Sequence, residues 1–434
     1  MKIALLGGGI SSLSLAYFIQ SSDRYKEIII IEKEDKLGGL MRSFNKEGIY
    51  YDIGPHIMFS KNKDILNLMK DILGKNISEI RRSNQIIYKN KFIQYPFEND
   101  LSKLPKDDLE YCLDFFLKNQ HEKINPENMH QFFLKNFGEG ITNTYLKPYN
   151  EKIWKYDISK MDLQMVERIP KPPKEDIIKS SQGITVDGYL HQLYFSYPFQ
   201  GGINSLVNEF TKKLSTKSKI YNDSEIKEIK KENNSFFIKT NKNKFEVDKI
   251  VSTIPLEELG NLYINSSNDV KNKSKNLEYN SIIVSIVNVE GNWAGDNFAF
   301  MIPDKNIIFH RISKLDFLGK NYSIPGTTTF EIEITYRKND LIDKKNNDEL
   351  INEISNDLIK IGFLDNINKI NFFEIKKFTH AYVIYNLQHR KTVDFLKNYY
   401  NSEGVFLNGR FGMYEYMNSD KVIEESLKLS KELV

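Results

Sequence analysis

The stretch Met1-Lys2-Ile3-Ala4-Leu5-Leu6-Gly7-Gly8-Gly9-Ile10-Ser11-Ser12, followed by Leu13 to Gln20 and then Glu27-Ile28-Ile29-Ile30-Ile31-Glu32, decides the fold. Lys2 to Leu6 reads as a short apolar strand, Leu13 to Gln20 as a helix and Glu27 to Ile31 as a second strand. Strand, glycine-rich turn, helix, strand and acid in that order make the βαβ unit that binds a dinucleotide. Gly7 permits the tight turn. Gly9 lets the backbone approach a pyrophosphate, which then rests on the N-terminus of the helix that follows, with Ile10 and Ser11 beside it. Glu32, with Lys33 beside it, stands about 20 residues beyond the glycines, where an acid accepts hydrogen bonds from ribose hydroxyls. An unphosphorylated ribose is implied, so FAD or NAD fits better than NADP. The third glycine of the pattern is Ser12, small enough to keep helix and strand close.

The rest of the chain bounds the answer. At 434 residues it exceeds one simple core, so two domains are expected. The composition is globular, 40% hydrophobic and 27% charged, and a formal charge of +3 is too small to argue for nucleic acid. Cys112 is the only cysteine, which excludes disulfides within the chain and thiolate metal clusters, and no metal site is expected. No apolar run has the length of a membrane span, and a cytoplasmic location is the expectation. A homo-oligomer is compatible with this composition.

Lys36-Leu37-Gly38-Gly39-Leu40-Met41-Arg42 follows the ribose acid. Its glycine pair allows a second close backbone approach, and Arg42 can meet phosphate or a ring. This segment resembles the second motif of the FAD-binding amine oxidase superfamily, which implies FAD as the dinucleotide and Gly39, Leu40, Met41 and Arg42 on its flavin side. Ser224 to Lys230, Phe236 to Lys239 and Phe245 to Val247 read as a meander, and Val247 to Pro255 resembles the strand by which that superfamily returns to its first sheet. Ile226 falls where the superfamily sets an apolar residue against adenine. Gly404 to Leu407 is a further strand, ending on Asn408-Gly409-Arg410, and the helix Lys421 to Leu433 follows.

The fold expected is α/β (α+β overall). A Rossmann-type FAD-binding domain is discontinuous, over 1–75, 200–265 and 396–434. A helical substrate lobe occupies 76–199 and an antiparallel sheet lobe 266–395. Residues 61–75 are helical, Ile86 to Ile93 is a hairpin with Asn90 at its turn, and 106–178 is mostly helical. Residues 279–335 are strand-rich, and Asn346 to Ile361 is an amphipathic helix. Ile169-Pro170-Lys171-Pro172-Pro173-Lys174 reads as a stiff extended link.

Within that superfamily nearly the whole chain is similar to the UDP-galactopyranose mutase branch, as a divergent, protoporphyrinogen-oxidase-like relative. Asp52-Ile53-Gly54-Pro55-His56 resembles its Gly-Pro-His loop beside the flavin. Tyr95-Pro96-Phe97, Lys147-Pro148-Tyr149-Asn150-Glu151-Lys152-Ile153-Trp154 and Phe309-His310-Arg311-Ile312-Ser313 resemble three segments of its substrate site, and Tyr197-Pro198 with Gly201-Gly202 resembles its Pro-x-Gly-Gly turn. Gly409-Arg410-Phe411-Gly412 with Tyr416 and Asn418 resembles its closing motif. The resemblance implies a small-molecule substrate, a nucleotide-diphosphate sugar. Its pyranose and furanose forms would interconvert on reduced FAD, whose N5 is the nucleophile, with no net redox change. NAD(P)H or another reductant would keep the flavin reduced. It also implies Arg168, Arg311 and Arg410 on the diphosphate, with Tyr95, Trp154, Tyr382, Tyr385, Tyr416 and Asn418 around the substrate and His56 on the flavin. His56, Arg168 and Arg311 are the catalytic candidates. Arginine suits diphosphate because its planar fork of donors grips phosphate oxygens.

The chain departs from the branch in places. Pro172 stands where bacterial members carry a further arginine, and Val383 replaces a proline between Tyr382 and Tyr385. An alternative therefore stays open: an FAD-dependent oxidoreductase, similar to amine oxidases and protoporphyrinogen oxidases, acting on a sugar, amine or polyene. A flavoprotein that only binds or scaffolds is a third.

Overall fold

The computed structural model describes residues 1–166, 169, 171–184, 186 and 193–434. Its first layer is a five-stranded, wholly parallel sheet in the order Val405–Leu407, Lys249–Ser252, Lys2–Leu6, Glu27–Ile31, Ser218–Tyr221. Numbered along the chain this is 5-4-1-2-3, the Rossmann arrangement, with the switch point beside the first strand. Ile28 to Ile31 and Ile3 to Leu6 are buried on both faces, as an unbroken apolar run in a parallel sheet requires.

The first helix spans Ile10–Ile19, three residues earlier than the sequence suggests at its start. Gly9 is the N-cap, extended at φ −74° and ψ 173°, and Leu13 N–H already donates to Gly9 O at 3.1 Å. Gly9 thus ends the turn and opens the helix in one residue. The helix lies against Ser419–Leu433, where the Ser426 hydroxyl donates to Ser11 O at 3.1 Å and receives Asn408 Nδ2 at 2.9 Å. Ser12, in the third glycine position, is fully buried and its hydroxyl meets Thr253 Oγ1 at 3.0 Å. The meander consists of Ile226–Glu232, Ser235–Thr240 and Lys244–Val247, antiparallel throughout.

A seven-stranded sheet forms the second layer, in the order Ile370–Ile384, Glu278–Glu290, Thr327–Tyr336, Arg311–Lys314, Ala299–Met301, Asn84–Tyr88, Lys91–Gln94. The hairpin joining its last two strands turns at Lys89 and Asn90, both at positive φ. Along Thr327–Tyr336 the faces separate cleanly. Phe330, Ile332 and Ile334 join the core shared with the helix Asn347–Lys360, which begins in a capping box of Asn346 and Glu349. Thr329, Glu331 and Glu333 point to the opposite face, toward the first layer, and all are fully buried.

The helical lobe packs Lys106–Leu117 against Met129–Ile141. Gly138 sits inside the second helix at φ 69° and kinks it, and a Cβ there would run into Phe115 O. The lobe is tied to the large sheet by Asp162 N–H donating to Tyr385 O at 2.7 Å. Among the described residues no helix is long and apolar enough to cross a membrane.

Candidate active site

A cleft of about 890 Å³ runs along the carboxyl ends of the parallel strands. Its floor is made by two glycine segments that touch. Gly7, at φ 97°, turns the chain while its N–H donates to Ile31 O at 2.8 Å. Gly38 N–H donates to Gly8 O at 2.9 Å, so the second glycine pair sits directly on the first turn. A Cβ added to Gly9 would meet no atom within 4 Å, and one on Gly39 would meet Gly9 Cα at 3.4 Å. Gly9 therefore presents bare backbone to open space, as close approach by a phosphate demands.

Glu32 is nearly buried at one end of the cleft. Its Oε2 accepts from Gly8 N–H at 2.6 Å and its Oε1 from Glu34 N–H at 2.9 Å, so the carboxylate is fixed before any ribose arrives. Lys33 and Ile226 line the same end. Arg42 donates through Nε to Gly39 O at 3.0 Å and lies 3.5 Å from Glu34, which anchors it at the rim. Ile10, Ser11, Leu40, Met41, Gly409 and Arg410 line the remaining length. Asn418 is the N-cap of Ser419–Leu433, whose Ser419 and Val422 also face the cleft. Two buried polar atoms on this wall, Ser11 Oγ and His56 Nδ1, have no hydrogen-bond partner in the protein. Bare backbone, a fixed acid and orphaned polar atoms together fit a bound dinucleotide.

Beyond His56 the site becomes aromatic and cationic. Trp154, Tyr382 and Tyr416 form a cluster: the two tyrosines stack at 5.7 Å, and Trp154 stands edge-on to them at 5.7 and 5.8 Å. Trp154 Nε1 donates to Asn150 Oδ1 at 3.1 Å. The Arg410 guanidinium lies 4.8 Å above the Tyr416 ring and donates to Met417 O at 2.8 Å and Ala381 O at 3.2 Å. Among the described residues it has no carboxylate partner. Arg311, by contrast, donates through Nε to Glu333 Oε1, and Glu333 is fully buried. Burial alone would lower the Arg311 guanidinium, yet Glu333 outweighs it and raises the group above its ordinary value.

His56 sits within the field of both arginines. Burial, then Arg410, then Arg311 push its imidazole down to about 4, so it is neutral near pH 7. Gly54, at φ 74°, brings this loop so near Arg311 and Glu333 that a Cβ there would lie 3.0 Å from Glu333 Oε2.

The remaining candidates are distributed less evenly. Tyr385 is buried and used internally: its hydroxyl donates to Glu415 at 3.0 Å and accepts from Tyr416 N–H at 2.6 Å. Its part is to hold the backbone that presents Tyr416. Tyr95 is 37% exposed, on the loop before Phe97–Asn99. Arg168 and Pro170 lie outside the described residues.

Three residues here were not singled out from the sequence. Glu333 is the counterion of Arg311, and Asp52 supports the His56 loop. Tyr149 lies in the field of Arg311, Glu333 and Tyr382 and stacks on Tyr145 at 5.2 Å. Burial keeps its phenol protonated. Tyr149 could have been found, since it lies inside the quoted run ending in Trp154. Glu333 carries no local signal, because its partner is on a different strand. Among the described residues no group of histidine, cysteine and carboxylate side chains could hold a metal ion.

The chain's likenesses agree with this arrangement. The family described as flavin containing amine oxidoreductase matches residues 11–409. Coproporphyrinogen III oxidase from Staphylococcus aureus is 26% identical over 177 residues, 37% of this chain and only 38% of that protein's length. Protoporphyrinogen oxidase from Dictyostelium discoideum is 22% identical over 383 residues, 70% of each. Among solved structures, reduced UDP-galactopyranose mutase superposes with a TM-score of 0.91 at 21% identity, covering 100% of this chain and 93% of that one. At that identity the likeness shows the shared fold.

Proposed function

The chain belongs to the flavin containing amine oxidoreductase family, and from that premise we propose that it is an FAD-dependent nucleotide-sugar mutase interconverting pyranose and furanose forms. The observation that carries this reading is that Arg410 and His56 line the cleft together, while the Arg311 guanidinium lies so near the His56 loop that a Cβ at Gly54 would be 3.4 Å from its Nη2. Two guanidiniums, one without a carboxylate partner, suit the oxygens of a diphosphate. A polyene would have to bury against them unpaired charge, which is unfavourable.

The residues divide the work. Glu32, the glycine turns and Arg42 hold the cofactor, which supplies a nucleophilic N5 when bound and reduced. Arg311 and Arg410 grip the diphosphate and neutralise the charge that develops when the sugar leaves it. Arg168 belongs to the same set by its resemblance. Tyr149, Tyr382 and Tyr416 offer hydroxyl donors, and Trp154 walls the sugar in. His56, being uncharged, adds no third positive charge beside the flavin.

A second reading, an oxidoreductase, draws support from the sequence relatives, whose names are those of oxidases. Arginines serve a carboxylate-bearing substrate as well as a diphosphate. An anaerobic assay separates the two. Holoenzyme is given a panel of UDP- and dTDP-sugars, with dithionite-reduced and with oxidised flavin. Ring exchange confined to the reduced sample supports the mutase. Bleaching of oxidised flavin by a substrate, with no ring exchange in either sample, sinks it.

A further inference from the structure

Behind the His56 loop lies a buried carboxyl cluster, of which the substrate chemistry above uses only Glu333. Asp52, Glu331 and Glu333 are all fully buried, and the guanidinium among them, Arg311, is engaged by Glu333. Glu331 has no side-chain hydrogen-bond partner on either oxygen. Burial, then Asp52 and Glu333, raise it well above the carboxylate range, so it stays protonated. Asp52 has four donors. Ser43 Oγ at 2.6 Å and Ile203 N–H at 3.1 Å meet its Oδ1, and Tyr197 OH at 2.8 Å and His56 N–H at 3.3 Å meet its Oδ2. Burial raises Asp52 as well, against all four donors. Each oxygen nevertheless receives a backbone N–H that has no other acceptor here, and that geometry calls for a carboxylate.

The four donors come from three separate stretches. Ser43 is on the strand that follows the Arg42 rim, His56 is in the loop on the cleft, and Tyr197 and Ile203 flank the Gly201–Gly202 turn. Gly202, at φ 68°, approaches so closely that a Cβ there would lie 2.9 Å from Asp52 Oδ1 and 2.7 Å from Ser43 Cβ. The Ser43 hydroxyl also receives Asn204 N–H at 2.9 Å, which locks the turn onto the same point.

We propose that Asp52 is a positioning residue of the cofactor site: its carboxylate ties the His56 loop, the strand after Arg42 and the Gly201–Gly202 turn to one point, and sets its negative charge one layer behind the flavin. The proposal rests on the cleft being the FAD site. It has two separable consequences. Loosening the tie weakens FAD. Removing the charge favours the electron-rich, reduced cofactor, because a buried carboxylate repels added electrons.

Asp52→Asn keeps the shape but turns an NH2 group toward one of the two backbone donors. In the full-length protein, titrated with FAD and reduced stepwise against a reference dye, it is expected to hold oxidised FAD about tenfold more weakly. Its preference for reduced over oxidised FAD should rise about tenfold, which is about +30 mV for a two-electron couple. Tyr197→Phe removes one donor and keeps the charge, so FAD weakens by about threefold and the potential stays put. A folded Asp52→Asn protein with the wild-type FAD constant and potential overturns the proposal. Equal weakening of both redox states also overturns it, because a merely structural role would do that. Should Asp52→Asn not fold, Tyr197→Phe and Ser43→Ala carry the test, and unchanged FAD affinity in both overturns it. Wild-type protein that binds no FAD would remove the cofactor reading, and this proposal with it.

Discussion

Arg311 shows how a residue can be legible while its setting is not. Its type and its place in Phe309 to Ser313 single it out as a candidate phosphate ligand, but nothing local announces Glu333, which meets it from the neighbouring strand. The pairing makes two substitutions differ. Arg311→Ala leaves a fully buried carboxylate unpaired and should lower stability by about 3 kcal/mol. Arg311→Lys keeps a positive charge for Glu333 but loses the planar fork. It should melt close to wild type while binding UDP about tenfold more weakly, as calorimetric titration would measure. Equal UDP affinity in Arg311→Lys would argue against a diphosphate clamp. A second buried acid makes a pH prediction. Burial pushes Glu98 up to about 7 in the folded protein, whereas an unfolded glutamate titrates near 4.3. Between those values the unfolded chain has released a proton that the folded one retains, so stability falls as pH rises through that window. Glu98→Gln removes this loss. It should be more stable than wild type by about 3 kcal/mol at pH 7 and above, with the gain vanishing near pH 4, as denaturant melts across pH would show.

At the level of elements, the strands Lys2–Leu6 and Glu27–Ile31 are legible to the residue, because unbroken Ile and Leu runs ending at glycine or acid leave little choice. The hairpin at Asn90 is equally plain, since its turn residue has a local chemistry, and the helix read over Asn346 to Ile361 spans Asn347–Lys360, with Asn346 as its cap. The strand Ile370–Ile384, one of the two longest in the large sheet, gave no such sign. Its lysines alternate irregularly, because one flank pairs with Glu278–Glu290 while Lys376 to His380 line the cofactor cleft. A strand with no fully apolar face has no period to read. The kink at Gly138 belongs here too. Gly138→Ala would combine a strained positive φ with a collision against Phe115 O. It should lower stability by about 2–3 kcal/mol, visible as a reduced melting temperature. Gly183→Ala, at a similar φ of 80° with Ser102 Oγ 3.9 Å away, should lower it much less.

Across the whole molecule, the cleft gathers walls from widely separated stretches: Gly7 to Ser11, Gly38 to Arg42, His56, Ser224 to Ile226, Lys376 to His380 and Gly409 to Phe411. A ligand that touches them all binds only the assembled state. Free FAD at a hundred times its dissociation constant should therefore add about 2.7 kcal/mol to stability and raise the melting temperature, and an unmoved melting curve would count against this cleft as the flavin site. The sequence made the glycine floor and the ribose acid readable because each needs only its neighbours. It left the Asp52 tie unreadable, because Ser43, Tyr197 and Ile203 meet it only once the layers are stacked. The parallel sheet carries one more consequence. Its strand Lys249–Ser252, second from one edge, lies between Lys2–Leu6 and Val405–Leu407, so one of its flanks stays bare until residue 407 leaves the ribosome. At about 5–20 residues per second, that interval is on the order of ten seconds. For that time the nascent chain displays an apolar, unpaired strand edge, the kind of surface that holdase chaperones cover and that other chains can pair with. Synthesis of this protein should thus be most vulnerable to aggregation late, just before its final strand arrives.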